Sequence, residues 1–384
     1  MTTTDINADY RARARDLQPI FEAEAAKSDQ EGTATTTAVE AMRDAGMFGL
    51  MVPRELGGAE LDLVTWTEVL ADLSYASGSL GWTVLANSTL CALAAGWLED
   101  DAVRTIFGPG PVAVAGQLTP RGTSTRVDGG FEVGGRYGFG SGSGHAGWIG
   151  GGARILRDGK PVIHENGLEA IQAYFVPRDK VEFTGGWDVM GLVGTGSYDY
   201  TIPSQVVPEA FTFDFYAPAR RGEGAYRMGV PTLGVGGHAG WALGIARRAI
   251  DEALDAADRP QNRYSGPNAE REGFLHDIAV LGAKLDAARS LVLTTYADFE
   301  NKIRAGNELT PADLARFGQV ITHSTRVALE CARDCFEWVG VSAIRSCPVQ
   351  RCLLDVSVAA VHLTQTRQSF VAHGTEMLAG RGKA

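Results

Sequence analysis

A glycine-rich loop with two hydroxyl side chains is the stretch of this sequence best suited to chemistry. Residues 134–148 read GGRYGFGSGSGHAGW, in which Ser141 and Ser143 stand between glycines. Glycine lets backbone N–H groups approach a flat ligand closely, and serine hydroxyls add hydrogen-bond donors at its edge. We therefore predict that this loop, with Gly140, Ser141 and Gly142 at its centre, contacts an isoalloxazine ring.

The same loop contains a dinucleotide-binding pattern that its context argues against. Gly142, Gly144 and Gly147 match G-x-G-x-x-G, which binds pyrophosphate where a helix begins at the glycines. The residues that follow, 148–156, include three consecutive glycines and favour extended chain over a first helical turn. We therefore expect a β-strand after the loop and no Rossmann site.

Composition and charge restrict the class of protein. The 384 residues are 45% hydrophobic and 21% charged, which is enough for two or three domains. The net charge of −11 argues against a nucleic-acid partner, because such proteins concentrate positive charge. No apolar run approaches the roughly 20 residues that a membrane-spanning helix needs, and residues 1–18 lack the apolar block of a signal peptide. We expect a cytoplasmic protein with no membrane partner.

The cysteines predict neither disulfides nor a metal site. There are five, and an odd number in a cytosolic chain argues against a disulfide framework. Cys331 and Cys335 share a face of a predicted helix, but no pair has the spacing of a zinc knuckle. We expect them to be small buried side chains and expect no metal.

Hydrophobic spacing divides the chain into three parts. Residues 1–110 show helical spacing and include an almost wholly apolar stretch, 80–97, which predicts a buried helix. Residues 111–217 are rich in glycine and in short strand patterns separated by turns. In residues 218–384 the helical period returns. The helices predicted there are 240–257, 274–303, 311–339 and 348–378. The expected fold class is α+β: an N-terminal helical domain, a central antiparallel β domain and a C-terminal four-helix bundle.

This order, together with five segments inside it, resembles the acyl-CoA dehydrogenase superfamily and predicts an acyl-CoA dehydrogenase-like fold. The segments are MVPRELGGAELD (51–62), residues 116–148, YFVPRDKVEF (174–183), WDVMGLVGTGSYDY (187–200) and GHAGWALGIARRAIDEAL (237–254). The resemblance covers essentially the whole chain and implies one of two chemistries. Dehydrogenases of this fold remove an α-proton from an acyl-CoA with a glutamate and pass hydride to FAD. The two-component monooxygenases take reduced flavin from a separate reductase, form a flavin hydroperoxide and insert one oxygen atom into their substrate.

The last helix separates these two chemistries. Leu363 stands where the dehydrogenases usually carry the glutamate base, and leucine cannot accept a proton. His362 stands where the monooxygenases carry an active-site histidine, which can deprotonate or hold a substrate hydroxyl. The resemblance therefore implies that His362 acts on the substrate and that Ser141 or Ser143 steadies the oxygenated flavin. A core histidine on an apolar helix is the alternative interpretation of His362.

The resemblance also assigns residues around the cofactor and the substrate. Thr195 and Ser197, with Trp187, fall in a segment that packs beside the flavin. Arg263 matches an arginine that holds flavin phosphate, and the alternative is a solvated loop charge. Gly340 matches a glycine against a neighbouring subunit's cofactor, or is simply a helix C-cap. Trp82 and Asn87 are expected in the substrate pocket.

We therefore expect a homotetrameric monooxygenase that uses reduced FMN or FAD from a flavin reductase. Its substrate is expected to be a small aromatic or polyketide-like molecule. One alternative is an acyl-CoA dehydrogenase with FAD and an unusual base, or a subunit of a mixed complex. Another is a catalytically silent flavin-binding homologue, because Leu354, Leu363 and Asn87 stand where relatives carry arginine, glutamate and histidine.

Overall fold

The N-terminal part of the chain is helical. The computed structural model describes residues 3–262 and 265–381. The first helices are α1 (Thr3–Glu31), α2 (Thr36–Asp44), α3 (Leu63–Ala76), α4 (Gly78–Trp97) and α5 (Asp100–Phe107). Every residue of α4 except Ala86 and Leu90 is buried, which confirms the predicted buried helix. A helix that is apolar all round must be surrounded by protein, so α4 forms the centre of this part.

The middle of the chain forms one eight-stranded sheet. Its strands are β1 (Val114–Val127), β2 (Gly130–Gly140), β3 (Trp148–Arg157), β4 (Lys160–Pro161), β5 (Ile171–Pro177), β6 (Glu182–Phe183), β7 (Tyr198–Val207) and β8 (Thr212–Asp214). The spatial order is β6-β7-β2-β1-β3-β5-β8, with β4 paired to β3. Strand β3 follows the glycine-rich loop directly, so the prediction of extended chain there is confirmed. The dinucleotide pattern has no helix to complete it.

The prediction of a purely antiparallel sheet is wrong at one pair of strands. Strands β1 and β3 run parallel, with Val114 opposite Trp148 and Thr125 opposite Leu156. The loop after β2 turns the chain back, so β3 has the direction of β1 and pairs with the edge of β1 that β2 leaves free. The sheet is therefore mixed, and the glycine-rich loop crosses over β1 at one end of it.

Helices return after the sheet. They are α6 (Gly229–Leu233), α7 (His238–Asp255), α8 (Glu272–Arg304), α9 (Pro311–Val339), α10 (Pro348–Ala359) and α11 (Arg367–Gly380), and a short hairpin of β9 (Pro260–Asn262) and β10 (Ser265–Pro267) precedes α8. Helix α9 has the predicted bounds and begins with a capping box between Thr310 and Asp313. Such a box satisfies two of the N–H groups that a helix start leaves unpaired.

The predicted fourth helix, 348–378, is broken in two. Residues 360–366 separate α10 from α11, and the N–H groups of Val361 and His362 bond to carbonyls three residues back. Thr366 then caps α11 by accepting a hydrogen bond from the Gln368 N–H. Threonine hydroxyls compete with helical backbone bonds and favour helix starts, which explains the break. His362 therefore lies in a connection, where its orientation is set by local hydrogen bonds.

None of the helices within 3–262 and 265–381 combines the length and apolar character that a bilayer crossing requires. Over the same residues, no three His, Cys, Asp or Glu side chains come together as a metal site. The cysteines are free thiols, four of them buried and Cys347 partly so.

Candidate functional site

A chain of hydrogen bonds runs through the glycine-rich loop. The indole Nε1 of Trp82 donates to Ser141 Oγ at 3.1 Å. Ser141 Oγ lies 2.7 Å from Ser197 Oγ, which lies 2.7 Å from Thr195 Oγ1. Thr195 Oγ1 donates to the Leu192 carbonyl at 2.7 Å. An indole N–H can only donate and a carbonyl can only accept. Each hydroxyl therefore donates its hydrogen bond in the same direction, from Trp82 toward Leu192. The Ser141 oxygen accepts from Trp82 and keeps one free acceptor position.

The turn that ends this chain is held by two carboxylates. Asp355 Oδ1 accepts from the Leu192 N–H at 2.6 Å, and Asp29 Oδ1 accepts from the Gly194 N–H at 3.1 Å. Burial raises the pKa of Asp355 to about 7, and burial also raises the pKa of Asp29. Trp187 Nε1 donates to the Leu192 carbonyl at 2.9 Å from within the same turn. The carboxylates therefore fix the backbone from which Thr195 and Ser197 project.

An exposed aromatic ring stands beside the hydroxyl chain. Phe139 is 68% exposed and has a φ of +64°, which is uncommon for a bulky residue. Its ring meets Trp187 edge-on, with centroids 6.0 Å apart. Strained residues cluster where a ligand is bound. Phe139 was not among the predicted site residues, although its place two residues before Ser141 was the available signal.

The two serines of the loop differ in what they reach. Ser143 is fully buried and donates to the Gly196 carbonyl at 3.3 Å, while Ser141 retains 8% exposure. Between them, Gly142 has a φ of +72°, and a Cβ there would lie 2.4 Å from Asn87 Oδ1. Only glycine fits this position without strain. The structure therefore favours Ser141 over Ser143 as the hydroxyl that a ligand meets.

Asn87 joins helix α4 to the same loop. Its Nδ2 donates to the Val114 carbonyl at 3.0 Å, and its Oδ1 lies 2.9 Å from His145 Nε2. An amide oxygen only accepts, so His145 carries its proton on Nε2. Burial, with the positive charge of Arg43, lowers the pKa of His145 to about 4. Asn87 and His145 Nε2 are thus committed to contacts within the protein, while His145 Nδ1 is buried without a hydrogen-bond partner in the part of the chain that the structure describes.

On the helical side, two histidines meet Trp82. The His362 ring centroid lies 5.9 Å from that of Trp82 and 5.0 Å from that of His238. Trp82 also meets His238 edge-on at 5.1 Å. One indole therefore touches both imidazoles and, through its N–H, the Ser141 hydroxyl. His238 was missed at the sequence level, although it stands inside the segment 237–254 as the first residue of α7.

Both of these imidazoles are neutral near pH 7. Burial lowers the pKa of His362 to about 4. Burial and the neighbouring His362 lower the pKa of His238 to about 3. Among the described residues, no carboxylate contributes to either shift, so the cluster contains uncharged nitrogen bases without an acidic partner.

Three further positions were singled out from the sequence. Gly340 ends α9 with a φ of +71°, and its N–H donates to the Phe336 carbonyl, so the helix C-cap is confirmed. Arg263 lies outside the described residues. Leu363, in the expected position of a dehydrogenase base, is 61% exposed.

Two family models match this chain. Residues 9–97 match the acyl-CoA dehydrogenase N-terminal domain, and residues 236–367 match the acyl-CoA dehydrogenase C-terminal domain. The first matched segment includes α4 with Trp82. The second includes His238 at the start of α7 and His362 in the connection after α10. The unmatched middle contains the sheet and the glycine-rich loop.

Similar proteins of known name include flavin-dependent monooxygenases. The chain is 29% identical to an indole-3-acetate monooxygenase of Pseudomonas putida, over 87% of this chain and 84% of that protein. It is 26% identical to the flavin-dependent monooxygenase oxygenase subunit HsaA of Rhodococcus jostii, over 94% of this chain and 95% of that protein. Among solved structures, XiaF from a Streptomyces species, determined with FADH2 and glycerol, superposes with a TM-score of 0.87. That pair is 20% identical over 98% of this chain and 96% of the other, so it speaks to the fold alone.

Proposed function

Because this chain belongs to the acyl-CoA dehydrogenase superfamily, we propose that it is the oxygenase component of a two-component flavin-dependent monooxygenase. It receives reduced FMN or FAD from a separate flavin reductase and hydroxylates a small aromatic or polyketide-like substrate. The observation that carries the proposal is the contact of Trp82 with both the Ser141 hydroxyl and the His362 ring. Such a cluster can hold a flavin edge and a substrate together without an acidic base.

The residues around Ser141 fit a flavin ring. Phe139 offers an exposed aromatic face, and Gly140 and Gly142 keep the loop backbone free of side chains. Aromatic faces favour offset stacking with flat rings. Thr195, Ser197 and Trp187 hold the loop edge in place. When bound, reduced flavin supplies the electrons and activates dioxygen.

Ser141 is matched to the reduced form of the cofactor. Its own proton is directed to Ser197, and its remaining free position accepts a hydrogen bond. Reduced flavin carries a hydrogen on its N5 atom, whereas oxidised flavin presents an acceptor there. The direction of the hydroxyl chain therefore supports binding of reduced flavin, with Ser141 as the residue that steadies the ring.

Acyl-CoA dehydrogenation is the second candidate, because the fold is shared. Proton abstraction from carbon needs a positioned base. Leu363 cannot act as one, and the two carboxylates next to the turn, Asp29 and Asp355, accept hydrogen bonds from backbone N–H groups. The polar cluster therefore supports oxygen chemistry better. A silent flavin-binding homologue is the third candidate.

The experiment that separates these candidates measures whether oxygen from labelled dioxygen is incorporated into a product. Purified protein is mixed with reduced FMN or FAD, isotopically labelled dioxygen and a panel of phenols and indoles. The proposal expects labelled oxygen in a product, with loss of turnover but retained flavin binding in His362→Ala. Bleaching of bound oxidised flavin by an acyl-CoA without oxygen would identify a dehydrogenase. If the protein gives neither labelled product nor bleaching, it is a silent homologue.

Self-association into a tetramer is part of the proposal. Apolar side chains are exposed on the α10–α11 connection and on α11, including Val361 at 81% and Leu378 at 66%. Clusters of this kind mark contact surfaces. We propose that a neighbouring copy covers them and that, as the family resemblance implies, Arg263 and Gly340 contact a flavin across a subunit boundary. Light scattering should give four chains, and Val361→Glu should reduce the assembly, while Ile163→Glu in the sheet region should not.

A further inference from the structure

The two histidines beside Trp82 carry their protons on opposite ring nitrogens. His238 Nδ1 lies 2.9 Å from the Val235 carbonyl. A carbonyl only accepts, so this nitrogen carries the hydrogen and His238 Nε2 is an acceptor. His362 Nδ1 accepts from the Thr364 N–H at 3.4 Å and lies 2.8 Å from Thr364 Oγ1. A backbone N–H only donates, so His362 Nδ1 is bare and its Nε2 carries the hydrogen.

We propose that His238 and His362 together recognise a substrate hydroxyl, with His238 Nε2 accepting its hydrogen and His362 Nε2–H donating to its oxygen. This inference rests on the proposed function and names the substrate class of that site as phenols. His238 is thereby a specificity-determining residue that contacts the substrate. The donating role falls to His362, which was predicted to deprotonate or hold a substrate hydroxyl.

The spacing of the rings suits one hydroxyl between them. Their centroids are 5.0 Å apart with planes inclined by 41°. Rings whose centroids are this close allow one hydroxyl oxygen to make a hydrogen bond of about 2.8 Å to a nitrogen of each ring. Among the described residues, neither Nε2 atom has a hydrogen-bond partner. A donor–acceptor pair left open in this way is complementary to O–H, which offers one hydrogen and lone pairs on the same atom.

The surroundings keep this pattern fixed. His238 is 5% exposed and Trp82 is 7% exposed, so water competes weakly for the ring nitrogens. Burial lowers the pKa of both imidazoles, so each keeps a single proton near pH 7. A buried donor or acceptor left without a partner is costly. An aryl ether, which cannot donate, would leave His238 Nε2 unpaired and should bind more weakly than the phenol.

The tautomers can be read without any turnover. Nitrogen NMR of the full-length protein with isotopically labelled histidine should show His238 protonated on Nδ1 and His362 protonated on Nε2. Assignment follows from His238→Gln and His362→Gln, each of which removes one pair of signals. Thr364→Val should disturb only the His362 signals. Finding the same tautomer for both rings would overturn the proposal.

Binding supplies the second readout. Calorimetry with para-cresol and its methyl ether should give the wild type a preference for the phenol of roughly tenfold or more. His238→Leu should reduce this preference to nearly one, while His238→Gln, whose Oε1 can accept, should retain most of it. His373→Leu is the matched control, because His373 makes no ring contact with the cluster. Thermal melting verifies that each variant is folded.

The outcomes separate this inference from the proposed function. Equal binding of phenol and ether by the wild type, or an unchanged preference in folded His238→Leu, would overturn the inference even if oxygen is incorporated into another substrate. Opposite tautomers with a phenol preference that depends on His238 would support it even if no labelled product forms. In that case the monooxygenase assignment alone would fail.

Discussion

The hydroxyl chain and the histidine pair both contact Trp82 and differ in how their polar atoms are used. Trp82, Ser141, Ser197 and Thr195 are joined by hydrogen bonds that end at a carbonyl. By contrast, each of the two imidazoles has its Nδ1 hydrogen-bonded to a backbone group two or three residues away and, within the described ranges, its Nε2 without a partner. Groups that are satisfied internally fix geometry, whereas groups left open are available to a ligand.

The same contrast separates histidines within one molecule. His145 and His362 are both kept neutral by burial. His145 Nε2 is bound to Asn87, and its ring stacks on Phe48 at 5.8 Å. His362 is anchored only through Nδ1 to its own connection. A low pKa by itself therefore does not identify a functional histidine here. The second nitrogen of His145, Nδ1, has no partner in residues 3–262 and 265–381 either but is fully buried. The distinguishing feature of His362 is therefore its ring contact with Trp82 and His238.

The largest expected effect comes from removing the hydroxyl of Ser141, which is the most exposed of the three hydroxyls in the hydroxyl chain. Ser141→Ala should lower kcat by about 10²–10³-fold, the usual consequence of losing one positioned hydrogen-bond group. Ser143→Ala is the matched control, since Ser143 bonds only the Gly196 carbonyl. It should cost about 1 kcal/mol of stability and leave kcat nearly unchanged. Rapid-quench measurement of product at saturating reduced flavin tests both, and equal losses would remove the distinction between the serines.

A second effect, on stability and not on turnover, is expected from filling the space at Gly142. Gly142→Ala places a side chain at a φ of +72° and 2.4 Å from Asn87 Oδ1. The backbone contributes about 1–2 kcal/mol of destabilisation, and the contact adds about 1–3 kcal/mol. Denaturant unfolding measures the change. Gly186→Ala, where a Cβ meets nothing within 4 Å, should be close to neutral. A neutral Gly142→Ala would show that the loop is not held as tightly as the hydroxyl chain implies.

The smallest effect concerns pH. The pKa of His145 falls to about 4 on folding, below its unfolded value of about 6.5. The stability from burying it neutral is fully present above about pH 6.5. It is lost as the pH falls toward 4, because the unfolded chain binds the proton first.

The difference in unfolding free energy between wild type and His145→Gln should therefore shrink by about 1.4 kcal/mol per pH unit over that range. Urea titrations at several pH values measure it. Ser143→Ala, which does not titrate, should differ from wild type by a constant amount. A constant difference for His145→Gln as well would mean that His145 is solvated in the native state.

Local patterns determined much of the architecture. The apolar stretch 80–97 predicted α4, and the glycines after Trp148 predicted strand β3, because burial and backbone freedom act within one element. The bounds of α9 followed from a capping signal that lies within four residues. The parallel β1–β3 pair did not follow, since it depends on which edge of β1 is free once β2 has paired.

The site divides in the same way. The sequence by itself predicted the glycine-rich loop, with Ser141 or Ser143 as the contacting hydroxyl, from residue type and order, and it predicted His362 from the family resemblance. Only the tertiary structure brought His238 to His362, since they stand on separate elements whose approach is decided by packing around Trp82. The tertiary structure also sets the tautomers of both histidines and buries the Ser143 side chain. Hydrogen-bond partners from distant parts of the chain fix these features, and no local pattern encodes such partners.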